Sequence, residues 1–136
     1  MKKAFMSLKF HDGDEDKIKI DCITNALLNA GITNTVIVRD IEKYGEVDLT
    51  NKNLMIDYAF PEIEKCDMLI VELSEKGVGL GIGAGYAYAV GIPIYVIAKT
   101  GSDISSTINN IAKRVIVYND YRELTNEFKR IIKEDF

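Results

Sequence analysis

Glycines at 77, 79, 81, 83 and 85 alternate with Val78, Leu80, Ile82 and Ala84, shortly after an apolar segment that ends in Glu72. Glycine at every second position removes Cβ atoms along one side of a turn. Backbone N–H groups can then approach a ligand closely and point at it from a helix N-terminus. A small anionic or nucleoside-type ligand suits such a cradle. The competing reading is tight helix–strand packing, with Tyr86 and Tyr88 laid across a neighbouring helix. Each glycine inside a helix costs roughly 1 kcal/mol relative to alanine, and packing rarely needs so many at once. Ligand contact is therefore the favoured reading. The run lacks the G-x-G-x-x-G dinucleotide pattern, and no Gly-Lys-Ser/Thr follows it, which excludes a P-loop.

The elements that must position this run follow from periodicity. Lys3–Ser7 reads as a first strand, and a polar loop runs from Phe10 to Asp16. Ile18, Ile20, Ile23, Leu27 and Leu28 recur at helical spacing and stop at Gly31, as a helix closed by a glycine would. Thr35–Val38 is β-branched and predicts a second strand. Residues 40–52 are charged without a period and predict a long, mobile connection. Residues 53–65 predict a helix, with Pro61 at odds with its middle.

Asp67–Glu72 is nearly all apolar and suits a central parallel strand buried on both faces. Beyond the glycines, Tyr86–Val90 reads as helical and Pro93–Ala98 as a strand. Residues 103–113 predict a helix capped by Ser102 or Asp103. Arg114–Tyr118 reads as a fifth strand, and residues 120–134 as a helix with Tyr121, Leu124, Phe128, Ile131 and Ile132 inward.

Strands alternating with helices predict an α/β fold: three layers, flavodoxin-like or Rossmann-like, with a five-stranded, mainly parallel sheet and helices on both faces. Ligands of such sheets bind beyond the carboxyl ends of the strands. Ser7–Asp12, the segment after Val38, Leu73–Gly81 and Lys99–Ser102 all reach that edge.

The length of 136 residues predicts one domain over 1–136. A net charge of −4 argues against binding a nucleic-acid polymer, which needs a basic stripe. A single nucleotide remains compatible, because local N–H groups can hold phosphate. No apolar run approaches the roughly 18 residues of a membrane span. Cys22 and Cys66 have no metal-ligand spacing, and His11 is the only histidine. The cysteines read as reduced, buried thiols of a cytoplasmic protein. No metal or other cofactor is expected.

The string Asp67-Met-Leu-Ile-Val-Glu72, then Gly77-Val-Gly79-Leu-Gly81, Gly85-Tyr-Ala87 and Gly91-Ile-Pro-Ile-Tyr-Val, resembles the nucleoside 2-deoxyribosyltransferase family. That family includes the 2′-deoxynucleoside 5′-phosphate N-hydrolases. The resemblance covers most of the chain, with its specific residues concentrated in 67–97. It implies cleavage of an N-glycosidic bond to 2-deoxyribose, in which a glutamate of the glycine segment attacks C1′ and forms a glycosyl-enzyme. The sugar then passes to another base or to water. It also implies assembly into a homo-oligomer through helices beside the glycines.

The chain departs from the family pattern at the reacting residue: Gly83 stands where the family has its nucleophilic glutamate. Gly77 stands where the family places an aspartate or a phosphate-binding serine. Ala59 matches the family's helix aspartate, with Asp57 two residues away. Three acids remain as candidates. Glu72 fits the acid at the end of the third strand, or else accepts backbone N–H bonds there. Glu75 lies in the loop beyond and is otherwise solvated. Asp57 serves only if the helix register differs.

Ser7, Lys9 and Phe10 form the first loop, where the resemblance places contacts to base and sugar; Phe10 is equally readable as core. Ser102, Ser105, Ser106 and Thr107 suit phosphate binding or, as the favoured reading, an ordinary N-cap. Gly77, Gly79, Gly81 and Gly83 complete the expected ligand cradle. Two functional readings follow. One is a family-type transferase or hydrolase acting on a nucleoside or nucleotide. The other is a catalytically silent nucleotide-binding or sensing protein of the same fold. A receiver-type module fits poorly, because the first strand lacks a trailing acidic pair.

Overall fold

The computed structural model describes all 136 residues. Five strands, β1 (Lys2–Leu8), β2 (Ile32–Thr35), β3 (Met68–Glu72), β4 (Ile94–Lys99) and β5 (Arg114–Tyr118), form one sheet. Their order is β2-β1-β3-β4-β5, and every pairing is parallel. The three-layer α/β architecture read from the sequence is therefore present, and the sheet is wholly parallel.

The helices are α1 (Asp14–Asn29), a short α2 (Ile37–Asp40), α3 (Phe60–Lys65), α4 (Val78–Ala89), α5 (Ser106–Ile111) and α6 (Arg122–Asp135). A π-helical turn, Met55–Ala59, leads into α3. All five residues of β3 are buried, as a strand covered on both faces must be. One face packs Met6, Ile70, Ile97 and Tyr118 with Ile23 and Leu27 of α1 and Leu124, Phe128 and Ile131 of α6. The other packs Phe5, Leu69, Val71 and Val96 with Ile63 of α3 and Leu80, Ala84 and Ala87 of α4. In α1 the buried face is narrower than the periodicity predicts, for Ile18 and Leu28 are exposed.

Several local expectations are corrected. The second strand occupies Ile32–Thr35 rather than Thr35–Val38. The Val36 N–H donates to Asp40 Oδ2 (2.8 Å), while the Val36 carbonyl accepts the Asp40 N–H (2.8 Å). This reciprocal pair winds Ile37–Asp40 into a turn of helix despite its β-branched residues.

The long connection expected over residues 40–52 carries one 3-10 turn, Lys43–Gly45. Lys43 and Tyr44 both hold positive φ (50° and 54°), a conformation that non-glycine residues adopt at a cost of about 1 kcal/mol or more each. Phe10, with ring centroids 5.6 Å apart, and the Lys17 ammonium, 4.8 Å above the ring, hold Tyr44 there.

Finally, the glycine run from Gly79 onward is helical, not a turn: α4 begins at Val78. Burial of Leu80, Ala84 and Ala87 offsets the weak helix propensity of its glycines. Pro61 is accommodated where the π-helical turn passes into α3, since a proline removes the backbone donor that an unbroken α-helical ladder would need there. The fifth helix is shorter than predicted, and Ser105 is its N-cap, its Oγ accepting the Ile108 N–H (3.5 Å).

Candidate functional site

The order β2-β1-β3-β4-β5 reverses its winding between β1 and β3, which opens a crevice at the carboxyl ends of those strands. A cavity of about 520 Å³ lies there. Its floor comes from Phe5 and Ser7 of β1 and Leu69 of β3, and one wall from Lys9 and Phe10. The opposite wall is Gly77, Val78, Gly79, Leu80 and Gly83 at the start of α4. Val36, Ile37, Val38, Glu42, Leu54, Met55, Ala59 and Ile63 close the remaining side. Fourteen of the twenty lining residues are hydrophobic, so the cavity is an apolar slot with few polar groups, as small-molecule sites commonly are.

Six of the residues expected at the ligand line this single cavity: Ser7, Lys9, Phe10, Gly77, Gly79 and Gly83. Their glycines differ in kind. A Cβ on Gly83 would stand 3.8 Å from Met55 Cε and 3.9 Å from Ile63 Cδ1, and one on Gly77 would stand 3.7 Å from Lys9 Cδ. Gly79 and Gly81 face open space, so packing within the chain does not require them. Gly81 lines a second, more open hollow of about 480 Å³, together with Lys76, Ser105 and Thr107. Lys9, Gly77 and Val78 border both spaces. Lys76 there is paired with Asp103 (2.9 Å).

The three candidate acids all stand outside the cavity lining. Glu72 is 2% exposed and belongs to the opposite side of the sheet edge. Its carboxylate accepts the Tyr118 hydroxyl (2.5 Å), the Ser74 N–H (2.6 Å) and the Ser74 hydroxyl (2.8 Å). The Ser74 Oγ in turn accepts the Lys99 N–H (3.0 Å), so the loop ends after β3 and β4 are tied through one carboxylate. Burial first, and then the bond to Glu72, push the Tyr118 phenol far above its ordinary range.

Glu75 is exposed and held by His11 (2.6 Å) and Lys9 (3.3 Å); the His11 bond, the larger effect, holds its carboxyl below the usual range. Asp57 accepts the Asn53 N–H (3.0 Å) and so caps the turn that begins the π-helical segment.

Sequence reasoning passed over Glu42. It is the one acidic residue lining the cavity, and its side chain forms no ion pair or hydrogen bond with another residue. The segment after Val38 was expected at this edge, but it has no periodicity, so no residue within it was singled out. Val36–Val38 and Met55 were likewise not expected at the ligand. The His11 backbone N–H donates to Asp16 Oδ2 (2.7 Å), which fixes the entry to α1. Cys66 is buried, and that burial pushes its thiol up to about 11, an inert setting.

No helix is long and apolar enough to cross a membrane. No family model matches the chain, and no curated protein does. Solved structures do match. A conserved protein from Enterococcus faecalis superposes with TM-score 0.73 at 15% identity, over 96% of this chain and 98% of that one. A 2-deoxyribosyltransferase from Bacillus psychrosaccharolyticus gives TM-score 0.68 at 16% identity, over 91% and 90% of the two chains. A CMP N-glycosidase from Clostridium botulinum gives 0.66 at 16% identity, over 95% and 98%. At such identity the likeness is one of fold: this chain shares the architecture of enzymes that work at nucleoside N-glycosidic bonds.

Proposed function

We propose that the chain binds a nucleoside or nucleotide in the cavity beside α4 and does not itself cleave the N-glycosidic bond. The observation that carries this reading is Gly83. It lines the cavity, and the family resemblance places the attacking glutamate there, yet a glycine has no group that can reach C1′. A nucleophile must stand within about 3–3.5 Å of the carbon it attacks. Glu72, Glu75 and Asp57 are engaged elsewhere, as described above. What remains is a binding slot: Phe10 to lie against a base, Ser7 and Lys9 to meet sugar or phosphate oxygens, and side-chain-free backbone at Gly77 and Gly79.

Glu42 favours one alternative, in which it serves as a displaced carboxylate and a family-type transferase or hydrolase survives. Base release from deoxynucleosides and their monophosphates, followed by chromatography, separates the two. The binding reading expects none. Fast release that disappears in Glu42→Ala would establish the alternative.

A Cβ at Gly83 would touch Met55 and Ile63 at ordinary contact distance, so Gly83→Glu is tested both alone and with Met55→Ala, which makes room for the longer side chain. Release gained by either variant would place the lost nucleophile at position 83.

The ligand is a small molecule rather than a nucleic-acid polymer, in keeping with the net charge of −4. A homo-oligomer belongs to the same proposal. Val78, Ile82 and Tyr88 are exposed along α4, and a Cβ at Gly81 or Gly85 would meet nothing within 4 Å. A second copy packed on that face would cover them, and light scattering would give the size of the assembly.

A further inference from the structure

We infer that Glu42 selects the base: its carboxylate receives the paired N–H donors of a guanine-type edge. This rests on the binding reading above and adds to it the class of base. An ionised carboxylate only accepts hydrogen bonds, through two oxygens side by side. It is best satisfied by two parallel N–H donors at matching separation, the geometry that makes bidentate pairs strong and selective. Among the common bases only guanine offers that pair, from its ring N1–H and its exocyclic amino group. Hypoxanthine keeps the ring N–H and lacks the amino group. Adenine and cytosine offer an amino group beside a ring acceptor, and uracil and thymine offer one N–H between two carbonyls.

Three features of the cavity set Glu42 apart for this role. It is the one acid among twenty lining residues, fourteen of them hydrophobic, and it is only half-buried, so its carboxylate is open to a ligand's donors. None of the protein's own groups donates to it, in contrast to every candidate acid outside the cavity. The backbone directly after it is fixed rather than loose. Its own carbonyl accepts the Gly45 and Val47 N–H groups (3.1 Å each), and its N–H donates to the Ile37 carbonyl (3.0 Å). Lys43 and Tyr44 hold left-handed conformations beside it, with Tyr44 against Phe10. The residue that would stack on the base and the segment that would read its edge are thus braced against each other, as a preorganised site requires.

Calorimetric titration with the deoxynucleoside monophosphates of guanine, hypoxanthine, adenine and thymine tests this on the wild-type chain and on Glu42→Gln. The wild type should bind the guanine nucleotide at least about tenfold more tightly than the hypoxanthine nucleotide, the scale of one hydrogen bond to a charged group. Glu42→Gln, isosteric and able to both donate and accept, should erase that preference, leave the thymine nucleotide within about threefold, and melt within a few degrees of wild type. Binding with no guanine preference, or a preference that survives in Glu42→Gln, overturns the inference and leaves the binding reading standing. No binding of any of the four overturns the inference, and silence with the cytosine nucleotide added to the panel overturns the binding reading too.

Discussion

At the carboxyl end of the central strand β3, Glu72 is 2% exposed and carries three hydrogen bonds from Tyr118 and Ser74. At the β1–β2 side, Glu42 lines an apolar cavity and carries none. The two acids sit on one edge of one sheet, yet the chain has closed one half and left the other open. In the closed half, each polar group is answered by another, and the carboxylate serves as a knot between loops. In the open half, Ser7 and Glu42 have no partners of their own, and Cβ atoms are withheld at Gly77, Gly79 and Gly83. Polar groups satisfied by the chain mark structure, and polar groups left for something else mark a site.

The contrast can be broken most forcefully at Glu72. Glu72→Ala leaves the Tyr118 hydroxyl and the Ser74 N–H without an acceptor. It should lower stability by about 2–4 kcal/mol in chemical denaturation, with ligand affinity changed by less than about threefold wherever the variant remains folded. If nucleotide affinity collapsed in a folded Glu72→Ala protein, the division of the edge into a structural and a binding half would be wrong.

A smaller and opposite effect belongs to Phe10. Phe10→Ala should weaken nucleotide binding by about tenfold, the lower end of a base–aromatic stack. It should cost only about 1 kcal/mol of stability, because the ring is half-buried against Tyr44. Calorimetry and thermal melts on the same sample give both numbers. Stability lost with affinity intact would make Phe10 core and nothing more.

How far the sequence led depends on which residues carried a period or a run. β3 and β5 are legible because continuous apolar segments leave few alternatives, and α6 because Leu124, Phe128 and Ile131 recur on one face. The first loop and the glycines were legible as one edge, since a parallel α/β fold brings the ends of β1 and β3 together. Val36–Val38 was misread because β-branched residues suggest a strand, whereas the Val36–Asp40 pairing decides the backbone locally.

The glycine run was read as a turn because propensity argues against so many glycines in a helix; tertiary burial of Leu80, Ala84 and Ala87 prevails. Glu42 stayed hidden because it sits in an irregular segment. The Glu72–Tyr118 bond spans 46 residues, a distance no local pattern reports.

The central claim is that a nucleoside or nucleotide occupies the cavity beside α4, and amide chemical-shift mapping during titration with deoxyguanosine monophosphate tests it most directly. The account predicts saturable shifts confined to Ser7–Phe10, Val36–Tyr44 and Gly77–Gly83. A spectrum unmoved at millimolar nucleotide, or shifts gathered around Glu72, Lys99 and Tyr118 instead, would contradict it.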